Sequence, residues 1–84
     1  MTNQEIAVRV LELVGGAKNV KNVYHCATRL RFTLQTGESV QTDALKQTDG
    51  VLNVLGSGTQ IQVVIGNNVN KVYNELMPLL PATG

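Results

Sequence analysis

Between Thr28 and Leu34 the chain alternates: Leu30, Phe32 and Leu34 are apolar, and Arg29 and Arg31 stand between them. A strand points successive side chains to opposite faces, so this order makes a half-buried strand with two guanidinium groups on its wet side. Those groups would stand about 7 Å apart, two residues at roughly 3.3 Å each. Such a strand calls for a sheet with one covered face and one open face. Immediately before it, the only cysteine, Cys26, adjoins the only histidine, His25. A thiol is nucleophilic as its thiolate, and nearby cations lower its pKa. A thiolate at the start of a strand carrying two arginine forks is suited to handling a phosphoryl group.

The rest of the chain supplies the covering. Thr2-Asn3-Gln4-Glu5 fits a capping box, and Ile6, Val10, Leu13 and Val14 recur at helical spacing until Gly15-Gly16 stops the helix. Val20 to Cys26 reads as a strand, joined by a tight connection at Ala27 to the strand Thr28 to Leu34. Gln35 to Val40 reads as a loop and Thr42 to Thr48 as a short helix, with Asp43 early and Lys46 late. Val51 to Leu55 reads as a third strand, Gly56-Ser57-Gly58 as a hairpin turn and Gln60 to Ile65 as a fourth strand. Gly66-Asn67-Asn68 is a turn able to cap the last helix, whose stripe is Val69, Val72, Tyr73, Leu76 and Leu80 and which Pro78 should weaken. The expected fold is α+β in the order αββαββα: a four-stranded, largely antiparallel sheet with three helices on one face. Its open face would carry Arg29, Arg31, Gln60 and Gln62.

Composition narrows the function. Eighty-four residues make one domain with a single modest core. One cysteine and one histidine exclude an internal disulfide and a four-ligand zinc site, and a lone thiol without a leader fits a reducing, cytosolic setting. No apolar run approaches the roughly 18 residues that cross a bilayer. Seven Lys and Arg against six Asp and Glu give a net charge of +1, which argues against a general nucleic-acid binder. Tyr24, Phe32 and Tyr73 are too few to form a base-stacking platform. The last residues, Leu80-Pro81-Ala82-Thr83-Gly84, match a sortase recognition pattern, but no apolar span or basic stop follows, so a chance match, or an end that falls within a longer protein, is the expectation.

The blocks Leu13-Val14-Gly15-Gly16, Asn19-Val20, His25 to Phe32, Gly50-Val51 and Gln62 to Asn67 carry a resemblance over Val14 to Tyr73. This stretch resembles the IIB domain of the bacterial phosphoenolpyruvate-dependent sugar phosphotransferase system, in its glucose–glucoside superfamily. The Cys-Ala-Thr-Arg-Leu-Arg-Phe core is specific, where a bare Cys-x-x-Arg would not be. The β-glucoside, sucrose and trehalose branch looks closer than the glucose branch. The resemblance implies a IIB carrier domain over residues 1–77, with 78–84 a tail or the start of a linker. It places the phosphorylated cysteine on Cys26 and the flanking site residues on Thr28, Arg29 and Arg31. A near-site glutamine falls on Gln62 or Gln60, with Gln62, five residues before Asn67, the better match. The glucose branch has an acidic residue shortly before its cysteine, and here that place holds Tyr24.

The resemblance further implies transfer from a IIA phosphohistidine to Cys26 and on to a sugar bound in a membrane IIC domain, with no metal or other cofactor. An isolated domain of this kind is expected to be monomeric and cytoplasmic, at the membrane's cytoplasmic face if part of a permease. Backbone N–H groups of Ala27 and Thr28 are expected to form an anion nest. Taken alone, Cys26 would read as a small buried hydrophobe and the arginines as solvated strand residues; the block around them reverses that weight. His25 should face away from Cys26 and act in packing. Two other functions compete: a binding module for a phosphorylated ligand or RNA using Arg29 and Arg31, and a redox sensor using Cys26.

Overall fold

The computed structural model describes residues 1–81. Its elements are α1 (Asn3–Leu13), β1 (Val20–His25), β2 (Arg29–Leu34), α2 (Thr42–Gln47), β3 (Asn53–Ser57), β4 (Gln60–Val64) and α3 (Val69–Leu76), with 3-10 turns at Ala17–Asn19 and Met77–Leu79. The four strands form one sheet in the order β1-β2-β4-β3, and every neighbouring pair is antiparallel. Two hairpins therefore lie side by side, joined along β2 and β4. This is the expected α+β arrangement, with the three helices on one face.

Alternation decides which face is covered. Val23, Leu30, Phe32, Leu34, Val54, Ile61 and Val63 point inward and are buried. They meet Ile6, Ala7, Val10, Leu11, Leu13 and Val14 from α1 and its end, Leu45 from α2, and Val69, Val72 and Leu76 from α3. Among the described residues no helix crosses the other face. It carries Tyr24, Arg29, Arg31, Thr33, Leu55, Gln60, Gln62 and Val64 at exposed or half-buried positions.

Local chemistry fixes the helix ends. Thr2 Oγ1 accepts from the Glu5 N–H at 3.1 Å while Glu5 Oε1 accepts from the Thr2 N–H at 2.8 Å, the reciprocal cap that the opening residues specify. At the other end of α1, Gly15 has φ 112°, and a Cβ there would meet the Asn19 side chain at 2.6 Å. The chain turns tightly at that point because Asn19 is buried beneath it. Asn19 Nδ2 donates to the carbonyls of Val14 (2.7 Å) and Thr36 (2.9 Å), and its Oδ1 accepts from the Thr36 N–H (3.0 Å). One amide thus ties the end of α1, the start of β1 and the exit of β2.

Several details differ from the sequence reading; α2 and β4, for instance, each end one residue earlier than read, at Gln47 and Val64. The third strand runs Asn53–Ser57 rather than Val51 to Leu55, so Gly56 and Ser57 are strand residues and the turn narrows to Gly58-Thr59. Gly56 was assigned to the turn because it is glycine. Its φ of 85° needs a glycine within the ladder, where a Cβ would collide with the Gln60 carbonyl oxygen. Asn68 sits at the N-terminus of α3 but does not cap it; its side-chain amide instead donates to Asn3 Oδ1 on α1. β1 ends at His25 and β2 begins at Arg29, each one residue shorter than the sequence reading, leaving Cys26-Ala27-Thr28 as the connection. Pro78 acts as expected: the α-helix stops at Leu76 and the chain tightens into a 3-10 turn. Leu79 and Leu80 then pack, half-buried, against the core. The sortase-like pattern lies largely outside the described residues.

Candidate phosphoryl-handling site

The pairing of β1 with β2 sets His25 opposite Leu30 and Tyr24 opposite Arg31. Continued by one step, it brings Cys26 opposite Arg29, and the Cys26 N–H donates to the Arg29 carbonyl at 3.0 Å. Ala27 and Thr28 make the bend itself. The Thr28 carbonyl is held from the other hairpin, accepting from the N–H groups of Ile65 (2.8 Å) and Gly66 (2.9 Å). The loop is thereby fixed by main-chain bonds, and its side chains remain free to face solvent.

Cys26 is exposed. Its Sγ–H points to the Arg29 carbonyl oxygen at 3.9 Å, a weak contact for a thiol donor. Hydrogen bonding from the Arg31 guanidinium is the largest influence on the thiol and lowers its pKa, while partial desolvation opposes it. The backbone N–H groups of Thr28 and Arg29, and the charge of Arg31, lower it further. The expected nest used Ala27 and Thr28. The N–H groups that lower the thiol's pKa are those of Thr28 and Arg29, so Thr28 is common to both sets.

The two arginines share the open face, as their spacing requires, but they do different things. Arg29 donates from Nη1 to Gln62 Oε1 at 2.9 Å, across the seam between the hairpins. Arg31 lies directly opposite Gln62 on one side and Tyr24 on the other, and hydrogen bonding with Cys26 first and Tyr24 second raises its pKa. Its Nε is buried and has no hydrogen-bond partner among the described residues. Gln60 lies one row further from Cys26, opposite Thr33, whose hydroxyl approaches its Oε1 at 3.5 Å. Gln62 is therefore the glutamine in contact with a candidate site arginine.

His25 faces the helices. Its ring lies 4.6 Å from that of Tyr73 on α3 at an interplanar angle of 54°, and Nδ1 is 3.1 Å from the Cys26 carbonyl oxygen. The ring props the base of the loop from the side away from the sulfur. Sequence reasoning left Tyr24 without a role, although hairpin counting could have found one. A two-residue bend at Ala27-Thr28 pairs 26 with 29, hence 24 with 31. Among the described residues no group of three or more His, Cys, Asp or Glu is placed to hold a metal ion, and no helix is long and apolar enough to cross a membrane.

The arrangement offers a nucleophilic sulfur with a guanidinium and two backbone N–H donors around it. Those donors suit a group that carries negative charge on several oxygens.

Known proteins share this sequence pattern and this fold. The sequence profile of the family described as "phosphotransferase system, EIIB" matches residues 8–41. The beta-glucoside-specific EIIBCA component of Halalkalibacterium halodurans is 44% identical over 79 residues, covering 94% of this chain and 12% of that protein. The trehalose-specific EIIBC component of Bacillus subtilis is 46% identical over 72 residues, covering 84% of this chain and 15% of its own length. The chain thus spans between about an eighth and a sixth of these relatives. A crystal structure of one domain of the PTS system IIabc component from Clostridium difficile superposes with a TM-score of 0.83 at 30% identity, covering 98% of this chain and 88% of that one. The relatives' names fall in the β-glucoside and trehalose branch that the sequence resembles, and the chain belongs to the EIIB family of the phosphotransferase system.

Proposed function

We propose that this domain, over residues 1–77, relays a phosphoryl group through Cys26 during sugar uptake. The thiolate of Cys26 attacks the phosphorus of a IIA phosphohistidine; the N–P bond breaks as the S–P bond forms, and the histidine is left neutral after taking up a proton. A sugar hydroxyl in a membrane IIC domain then attacks the same phosphorus. The S–P bond breaks, the O–P bond forms, and the hydroxyl proton departs to solvent or a IIC base. The domain in this reading works at the cytoplasmic face of the membrane, as a protein-phosphocysteine–sugar phosphotransferase.

The observation that carries the reading is the surrounding of the sulfur. Cys26 is exposed at a corner where the Arg31 guanidinium and the N–H groups of Thr28 and Arg29 all favour its anion. Such donors do for the thiolate what they would do for the equatorial oxygens of a phosphoryl group in flight. The same donors lower the thiol's pKa and so raise its thiolate fraction, which lightens the demand for a general base beside the sulfur. Arg29, held by Gln62, stands ready on the same face as a second fork. The transient docking this requires fits an exposed corner without a deep cleft.

The test is incubation with phosphoenolpyruvate, the general phosphotransferases and a matching IIA domain, followed by mapping of phosphate by mass spectrometry. The expected result is phosphate on Cys26 that disappears in Cys26→Ser, with unchanged thermal unfolding. Absence of phosphate with every IIA donor of the β-glucoside and trehalose branch would overturn the relay and turn attention to the arginine-based binding module.

A further inference from the structure

On the open face, the row next to the thiol's own reads Tyr24, Arg31, Gln62 and Leu55 across four strands. Arg31 brings five N–H donors to this row and needs acceptors to fix its direction. Gln62, its neighbour on β4, gives its carbonyl oxygen to Arg29. Leu55, beyond Gln62 on β3, has nothing to accept with. Arg31 Nε finds no partner at all among the described residues. The remaining neighbour on the row is Tyr24 on β1, directly opposite Arg31; its phenol oxygen is the one acceptor on the row not already engaged, and hydrogen bonding with it helps hold the Arg31 pKa up.

We infer that Tyr24 is a positioning residue for the relay: its phenol oxygen, across the strand from Arg31, steers that guanidinium over Cys26 rather than along the open face. Tyr24 touches neither the sulfur nor, in the relay, the phosphoryl group. It acts through Arg31, and the inference rests on the phosphoryl-relay reading for its biological purpose but not for its test. A neutral phenol orients the guanidinium without placing a negative charge beside a thiolate and an incoming phosphoryl group.

The groups that face the sulfur are few. β2 contributes Arg29 and Arg31, and β1 contributes Tyr24. His25 turns to Tyr73 on the covered side. β4 and β3 present Gln60, Gln62, Asn53, Leu55 and Ser57, none of them charged. A change in the titration of Cys26 on altering Tyr24 therefore has one route, through Arg31.

The experiment is the pH profile of Cys26 alkylation by iodoacetamide in the parent, Tyr24→Phe, Arg31→Gln and the double variant. Tyr24→Phe keeps the ring and deletes only the acceptor, at a side chain that is half exposed and outside the core. It is expected to shift the profile to higher pH and slow alkylation at pH 7 about twofold, the scale of one exposed hydrogen bond. In the Arg31→Gln background the same substitution is expected to change nothing, because the group it steers is gone. A Tyr24→Phe profile that superposes on the parent overturns the inference. So does an equal shift in both backgrounds, which is what a merely structural role would produce. The phosphate-mapping experiment fails or succeeds independently, since alkylation requires no donor domain.

Discussion

Leu30 and Arg31 are neighbours on one strand, yet they live under different rules. Leu30, Phe32 and Leu34 are 0–1% exposed and touch helices, while Arg29, Arg31 and Thr33 on the reverse side remain half-buried with no element over them. Polar groups show the same split. Asn19, on the covered side, makes three side-chain hydrogen bonds and leaves nothing unpaired. Arg31, on the open side, has a buried Nε with no partner and a head group turned to a thiol. Burial demands that polar groups be satisfied, and an unsatisfied one costs about 1–3 kcal/mol. The covered face meets that demand; the open face leaves capacity for something that arrives from outside. Stability and reactivity are therefore placed on opposite sides of a sheet one residue thick.

If that division holds, changes on the covered face alter unfolding first. Phe32→Ala, which empties the largest fully buried side chain, is expected to cost about 3–5 kcal/mol in a chemical denaturation midpoint. That is a large part of what a small domain has. Asn19→Ala should cost about 2–3 kcal/mol, since it strands a Thr36 N–H and two carbonyls. A loss below 1 kcal/mol would mean that water enters and replaces the amide, and the contrast with Arg31 would weaken. Arg31→Gln should leave the unfolding midpoint where it is and move only the thiol. Removing the guanidinium raises the Cys26 pKa, so alkylation at pH 7 should slow about two- to tenfold and its midpoint should approach the free-thiol value of about 8.5. An unfolding midpoint that falls as far as for Asn19→Ala would break the comparison outright.

Most of this fold could be read from residues because its signals were local. The capping box at Thr2, the alternation of β2 and the stripe of α3 each act within a few residues. The misplacements came where a long-range partner overruled a local cue. β3 slid two residues because Val54 must pair with buried Val63, which left Leu52 exposed although it looked like strand. Asn68 gave up its cap to bond Asn3, 65 residues away. Cys26, Arg29 and Arg31 were visible as a cluster in the sequence, but the division of labour between the arginines was not. It depends on which of them Gln62 reaches, and Gln62, set opposite Arg31 by the register of β2 on β4, bonds Arg29 on the diagonal. Tyr24 was hidden for the same reason.

That register has a consequence for assembly. Residues 24–31 bring the sulfur and its donors, whereas Gln62 and the N–H groups of Ile65 and Gly66, which steady Arg29 and the loop, come from a hairpin more than thirty residues later. The site is complete only once the seam between β2 and β4 has zipped, the non-local step that loop-closure entropy makes slowest in such topologies. A nascent or half-folded chain would hold the cysteine but not its fixed surroundings. Competence for chemistry would then mark the end of folding, and an unfinished copy would be a poor acceptor of its partner's phosphate.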